Sequence, residues 1–353
     1  MTALGASPLV ISAVAGGGEL IGYGLRLFSG RIADKTKKYW PVAFAGYAIN
    51  LLSVPLLAFC GTVQTAATCL IAERAGKGTR NPPRDALLSY AAEKTGQAAY
   101  AFGVHDAMDK TGALLGPLSV AFLFYASRNF SVAFGSLIIP AFVALALLVF
   151  IASRYPNSES FKGSTTSDAS TKFSPTFWKG IIAAGFLAIG TADFPFVAQH
   201  LERVSGLSPV SIPVLYGVAM SAAAIASLTL SRLFNRFGIR TLFFPLFIGM
   251  AAVPILFFGD NLRTAIVGSI LWGAGFASQE PIMKAFITQT VSPNQRGTAF
   301  GAFWALYGIL WFSGSLALGA LYEHSISVMV SVAIAAQLFS LPFIYAASRP
   351  RGI

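Results

Sequence analysis

The sequence predicts an all-α membrane protein: two helical bundles related by a parallel pseudo-two-fold repeat, with about eleven transmembrane helices divided five and six. Three observations carry that expectation. Apolar segments of membrane-spanning length recur along the chain, basic residues collect in alternate loops, and the two halves of the sequence repeat one another at a near-constant offset.

The first observation is compositional. The chain has 353 residues, 55% of them hydrophobic and only 11% charged, against about a quarter charged in a soluble domain. Its apolar runs continue for roughly twenty residues, the length that crosses a bilayer core of about 30 Å as a helix. They do not alternate with period two, which excludes an outer-membrane β-barrel. The spans are expected at 9–29, 41–60, 64–90, 99–125, 131–152, 177–199, 210–231, 241–258, 264–289, 298–322 and 326–347. The stretch 153–176 is rich in serine and threonine instead, and is expected to be a cytoplasmic linker between an N-terminal bundle, 1–152, and a C-terminal bundle, 177–353. The first apolar run contains Glu19 and follows no basic segment, so no cleaved leader is expected. Cys60 and Cys69 are the two cysteines; they indicate neither a disulfide framework nor a thiolate metal site.

The second observation is the placement of charge. The net charge is +11, but the basic residues are spread through loops and form no soluble basic domain, so nucleic acid is not expected as a partner. Fifteen lysines and arginines fall on one side of the span pattern: Arg31, Lys35, Lys37, Lys38, Lys94, Arg154, Lys162, Lys172, Lys179, Arg232, Arg236, Arg240, Arg296, Arg349 and Arg351. Arg128, Arg203 and Arg263 fall on the other. The rich side is cytoplasmic by the positive-inside rule, which puts the C-terminus in the cytoplasm. The same alternation decides the third span. Its plainly apolar part, 62–72, is too short to cross alone. The expectation is therefore a helix continuing through Arg74, Lys77, Arg80, Arg84 and Asp85 to about Tyr90, past Pro82 and Pro83.

The third observation is internal repetition. Ala101-Phe102-Gly103 matches Ala299-Phe300-Gly301 at an offset of 198, the difference between 299 and 101. Pro83 and Pro281, Gln97 and Gln295, Gly116 and Gly314, and Leu118 and Leu316 keep that offset. Earlier in each half, Gly5-Ala6-Ser7-Pro8 matches Gly206-Leu207-Ser208-Pro209 at 201, the difference between 206 and 5, and Arg31 falls on Arg232. In this alignment the first half lacks the counterpart of the span 177–199.

The motifs now fall in a recognisable order. Gly30-x-x-x-Asp34-Lys35 resembles the loop signature G-x-x-x-D-[RK]-x-G-[RK]-[RK] of the major facilitator superfamily, with Lys37 where the glycine is expected. The second copy, 231–240, keeps Gly238 but has Asn235 for the acid. Arg74-x-x-x-Gly78 resembles the superfamily's fourth-helix signature, and Gly112-x-x-x-Gly116-Pro117 the antiporter signature of its fifth. The chain resembles a member of that superfamily lacking its first transmembrane helix. The resemblance implies two six-helix bundles, a central cavity lined by the third, sixth and ninth spans of this chain, and alternating access by rocking. Parallel repeats of this kind build two-bundle transporters.

Ionisable residues inside a membrane are costly and face a cavity or a partner. On the third span Arg74, Lys77 and Arg80 recur at helical spacing. They read either as a cationic wall for an anionic solute or as side chains that snorkel or pair with Glu73 and Asp85. Glu280 and Lys284 on the ninth span are four apart and stand as substrate-site candidates or as an ion pair. Asp106, with Asp109 on the same side, is a proton-coupling candidate; its structural alternative is an ion pair with Lys110. Asp193, toward the outer end of the sixth span, is a third coupling candidate or an interfacial polar contact. Glu19 and Arg26 are spaced to pair on the first span. Gly30, Asp34, Lys35, Arg84, Arg232 and Arg236 form the cytoplasmic gate that the resemblance implies; the alternative for the loops is a topology determinant alone. His105, next to Asp106, could be a metal ligand with Asp109, but nothing else has ligand spacing, so no metal or cofactor is expected.

The expected function is secondary active transport of a small organic solute, an anion among the candidates, across the plasma (inner) membrane, with protons as coupling ion and lipid as the surrounding partner. No nucleophile–base constellation points to an enzyme. The alternative from a different class is a non-transporting truncated membrane protein acting as a sensor or assembly partner.

Overall fold

The structure, a computed structural model, describes residues 4–156, 173–204, 206, 207 and 211–349. Most of the expected linker 153–176 lies outside the described residues, as do Lys162, Lys172 and Arg351 of the charge pattern and Ser208-Pro209 of the repeat. Among the described residues every regular element is helical.

The chain runs α1 (Pro8–Thr36), α2 (Tyr39–Leu56), α3 (Val63–Lys94), α4 (Ala98–Ser127), α5 (Phe130–Gly135), α6 (Ile138–Arg154), α7 (Pro175–Ile189), α8 (Phe194–Arg203), α9 (Ser211–Phe237), α10 (Phe243–Phe258), α11 (Leu262–Ala277), α12 (Gln279–Thr290), α13 (Arg296–His324), α14 (Ile326–Leu338) and α15 (Ser340–Ser348). Among the described residues six stretches are long and apolar enough to cross a membrane: Tyr39–Phe59, Phe130–Arg154, Pro175–Arg203, Ser211–Phe258, Pro293–His324 and Ile326–Ser348. α3 is not among them, because its charged residues from Glu73 to Lys94 dilute the apolar part. It is nonetheless one continuous helix of 32 residues with Pro82 and Pro83 inside it, as the alternation of basic loops required.

Four expected single spans are interrupted. The span 131–152 breaks at Ser136–Leu137, between α5 and α6, and the span 326–347 at Phe339, between α14 and α15. The span 177–199 breaks between α7 and α8, where Gly190 closes α7, Asp193 takes the extended N-cap conformation and Pro195 occupies the first turn of α8. Proline has no N–H for the preceding carbonyls and is tolerated at a helix start. The span 264–289 breaks at Ser278, three residues before Pro281. Pro83, 198 residues before Pro281, leaves α3 unbroken.

Helix ends follow local chemistry. Ser7 caps α1 by accepting from Val10 N–H, with Pro8 next to it, and Ser174 caps α7 in the same way. α1 stops at Lys37, which is left-handed with φ 58°, and α9 stops at Gly238, with φ 57°. These two positions are 201 apart. The conformation is one that glycine adopts without a Cβ penalty, which is why the loop signature carries glycine there and why Lys37 is a strained substitute.

The described chain forms two compact units. The first gathers residues 4–91, 116–156 and 292–305; it holds α1, α2, most of α3, the end of α4, α5, α6 and the first turns of α13. Small residues let its backbones approach: a Cβ on Gly76 would collide with the backbone of Asn50, and one on Gly30 with the carbonyl of Gly297. The second unit comprises 92–115, the described residues of 173–291, and 306–349. Its core packs Leu215, Met220, Leu256, Phe257, Trp272 and Leu318 from α9, α10, α11 and α13.

Candidate gate and substrate-site residues

In the first unit, Asp34 lies in the last turn and a half of α1 and is buried. It accepts from the first N–H groups of α13: Gly297 N–H to Oδ1 at 3.0 Å and Thr298 N–H to Oδ2 at 2.6 Å. Tyr39 O–H donates to Oδ1 at 2.7 Å. Tyr90 donates to the carbonyl of Pro293 at 2.6 Å, with its oxygen 3.2 Å from that of Tyr39. The first N–H groups of a helix have no partner within it and carry the positive end of its dipole. A carboxylate brought from 263 residues away therefore caps α13. Burial pushes the Asp34 carboxyl above its ordinary value, and bonds from Thr298, Tyr39 and Gly297 pull it back part of the way. Gly30 lies one turn earlier on α1, where α13 passes closest. Lys35 is exposed in the last turn of α1, where a cation complements the dipole.

Next to this cap lies a second contact to α13. Arg84 donates to Asp85 Oδ1 through Nε at 3.0 Å and Nη2 at 2.7 Å. Trp304 Nε1–H donates to Oδ2 of the same carboxylate at 3.1 Å. Asp85 is fully buried. The guanidinium of Arg26 stacks on Tyr23 and Trp304, with 4.3 and 4.8 Å to the ring centroids. The sequence named Arg84 for the gate and Asp85 as an ion-pair partner for the basic residues of α3; Trp304, Tyr39 and Tyr90 carried no signal. Asp85 was legible as a costly acid beside Arg84; its second partner, Trp304, lies 219 residues further on.

The α3 residues have definite surroundings. Arg74 pairs with Glu19 at 2.9 Å and with Glu73 at 3.2 Å, and Asn50 donates to Glu73 at 2.9 Å. Glu19, expected opposite Arg26, thus pairs with Arg74 on α3. Arg80 lays its guanidinium on the Tyr47 ring, 4.5 Å from the centroid. Lys77 is half-buried between them in sequence.

In the second unit, Asp106 is buried on α4, with Lys110 Nζ at 3.5 Å from Oδ1 and Ser227 O–H donating to Oδ2. Lys284, also buried, pairs with Glu280 at 2.6 Å and lies 5.9 Å from the Phe102 ring centroid. Glu280 and Lys284 act electrostatically on Asp106. The two i,i+4 pairs, from α4 and α12, therefore form one cluster of alternating charge. Asp109 is exposed, although one turn from Asp106. Ser227 carried no sequence signal. Its side is reached closely because Gly103 has no Cβ to collide with Ser231.

Asp193 sits apart, at the α7–α8 break, and accepts from Ser315 O–H at 3.0 Å. Arg232 donates to Tyr100 O–H at 3.1 Å and stacks on its ring. Arg236 is exposed beside Phe237. Among the described residues no group of three or more histidine, cysteine, aspartate and glutamate side chains could hold a metal.

A helical membrane protein with capped, paired and buried charges at its helix ends and within its spans has the makings of a solute carrier. The chain belongs to the Major Facilitator Superfamily, whose sequence model matches residues 1–315. It is 35% identical to an uncharacterized protein of Mycobacterium tuberculosis, over 99% of this chain and 87% of the relative. It is 26% identical to an uncharacterized MFS-type transporter of Methanocaldococcus jannaschii, over 92% and 82%. Among solved structures it is similar to the human organic anion transporter MFSD10, with TM-score 0.75 and 14% identity over 97% of this chain and 87% of that one. It is also similar to the E. coli fucose:proton symporter, with TM-score 0.72 and 15% identity over 96% and 91%. These likenesses show the superfamily fold. The protein is a membrane transporter, not an enzyme.

Proposed function

We propose that the chain is a secondary active transporter that moves a small organic anion across the plasma membrane by alternating access, driven by protons. The observation that carries the reading is the cap on α13. Asp34 belongs to the first half of the sequence and the N–H groups it satisfies belong to the second. Such a cap is made only while α13 lies against the end of α1, so it stabilises one arrangement of the two halves and not the other. In this reading the spans number eleven, five before the linker 153–176 and six after it, the halves are related by a pseudo-two-fold repeat, and the C-terminus is cytoplasmic. The proposed gate residues of the cytoplasmic side are then the cap, Arg84–Asp85–Trp304 and Lys35 in the first unit, and Arg232 and Arg236 in the second.

The proposed anion contacts are Arg80, Lys77 and Arg74, which recur every three residues along α3. Stacking on Tyr47 fixes the Arg80 guanidinium plane, a planar fork whose geometry matches a carboxylate or phosphate. One of the proteins sharing the fold is an organic anion transporter and another a proton symporter, which agrees with both parts of the reading. Asp106, in its cluster with Lys110, Glu280 and Lys284, is the proposed proton site. The test is uptake into proteoliposomes with an imposed proton gradient, screening organic anions. A flux independent of the gradient would remove the proton from the mechanism, and unchanged kinetics in Arg80→Ala would remove the anion wall.

A further inference from the structure

The two cysteines take no part in the machinery described so far. Cys60 follows the short turn Leu57–Phe59 after α2 in extended backbone, and Cys69 lies in the second turn of α3. Their spacing in the sequence pointed to no disulfide framework, yet the structure brings the sulfurs to 3.6 Å, both half-buried. The turn between them is internally braced. Thr62 Oγ1 accepts from Thr65 N–H at 3.2 Å, and Thr65 Oγ1 accepts from Thr62 N–H at 3.3 Å. This reciprocal pair has the form of a capping box, and it fixes the entry of α3 and with it the position of both sulfurs.

We propose that Cys60 and Cys69 form an intramolecular disulfide on the non-cytoplasmic face. The proposal rests on the orientation given under Proposed function, which places the α2–α3 connection outside. A disulfide bond measures about 2.0 Å, so small rotations of the two side chains close the remaining gap. In the reaction each thiol gives up its proton and one sulfur–sulfur bond forms. The two electrons and two protons pass to an oxidised thiol–disulfide exchange partner outside the membrane, whose own disulfide is reduced to a dithiol. The product ties the outer end of α2 to α3, the helix that carries Arg74, Lys77 and Arg80.

The test uses cells expressing the full chain. Thiols are frozen by acid, and the membranes are dissolved in detergent with polyethylene-glycol maleimide, with or without prior reduction. The disulfide gives no adduct before reduction and two after it, while Cys60→Ser gives one adduct in both conditions. Two adducts without reduction overturn the proposal, as does a reductant-sensitive dimer. Orientation is read separately from Gly61→Cys in a Cys60→Ser/Cys69→Ser background. Gly61 is exposed and a Cβ there meets nothing within 4 Å. Labelling of intact cells by an impermeant maleimide upholds the orientation, so that two adducts then count against the disulfide alone. Labelling only after permeabilisation overturns the orientation and the disulfide with it.

Discussion

Asp34 and Asp106 are both buried aspartates, and their partners could hardly differ more. Asp106 is held by side chains: Lys110 on its own helix and Ser227 on α9, with Glu280 and Lys284 of α12 in electrostatic reach. Asp34 is held mainly by backbone, two N–H groups at the start of α13, with Tyr39 added. The Lys110 pair lies within one helix and survives any rigid-body motion that keeps that helix whole, whereas the Ser227 bond needs α4 and α9 to stay together. A backbone cap is made or broken as a unit when one helix end leaves the other. The first arrangement suits a charge that must stay in place or exchange a proton, and the second suits a latch.

The strongest way to break this comparison is Asp106→Ala. It leaves the Lys110 ammonium without its acid in a largely buried site, which costs about 3–5 kcal/mol. Thermal unfolding in detergent should show a loss of that order, and Asp106→Ala/Lys110→Ala should recover part of it. Asp106→Asn sharpens the assignment. If Asp106 carries the proton, gradient-driven uptake is lost while solute exchange at equilibrium persists; loss of both would leave Asp106 a structural residue only.

Asp34→Ala comes next. It strips the acceptor from two helix N-terminal donors, about 1–3 kcal/mol for each buried group left unsatisfied. The cost falls on the capped arrangement alone, so the expected result is greater cytoplasmic access, read by cysteine labelling on α13, with little change in unfolding temperature. Asp34→Asn should fall between, because its amide presents one acceptor where two N–H groups point. An equal loss of thermal stability in Asp34→Ala and Asp106→Ala would erase the distinction.

A pH series probes the latch more gently. Burial raises the Asp34 carboxyl above its ordinary value in the capped arrangement. Protonation therefore favours that arrangement relative to one in which Asp34 meets water. The added stability is fully present below the ordinary carboxylate value and is lost as pH rises through the raised one. Acidification from neutral pH should reduce cytoplasmic labelling in the native chain, and Asp34→Asn should flatten the dependence.

The smallest effect concerns the turns that follow α1 and α9. Gly238→Ala forces a Cβ into a left-handed conformation, at about 1–2 kcal/mol. Lys37→Gly relieves the same strain and should raise the unfolding temperature slightly. A destabilised Lys37→Gly would mean that the lysine side chain earns its place in another way.

Much of the fold was legible because the bilayer imposes length and the loops impose charge sign. Those constraints are local, so α2, α6 and α9 could be read from composition, and the continuity of α3 from the alternation of basic loops. The breaks at Ser136–Leu137, Gly190–Asp193, Ser278 and Phe339 were not read, because proline inside an apolar run does not announce whether the helix bends, breaks or continues. Pro83 and Pro281, which the sequence offset aligns, part ways on this point. The candidate charges were legible one by one, since each is costly in lipid. Their partners were not: Trp304 is 219 residues from Asp85 and Ser227 is 121 from Asp106.

By itself the sequence determined that the chain is a helical membrane protein, and that Asp34 stands in the charged segment where its first apolar run ends. Only the tertiary structure decided what Asp34 holds. Nothing near residue 34 specifies an acceptor for the N–H groups of Gly297 and Thr298. An unpartnered helix start can be satisfied by any carboxylate that arrives, and which one arrives depends on how α1 and α13 pack, a matter settled by small residues such as Gly30 that leave room for the approach.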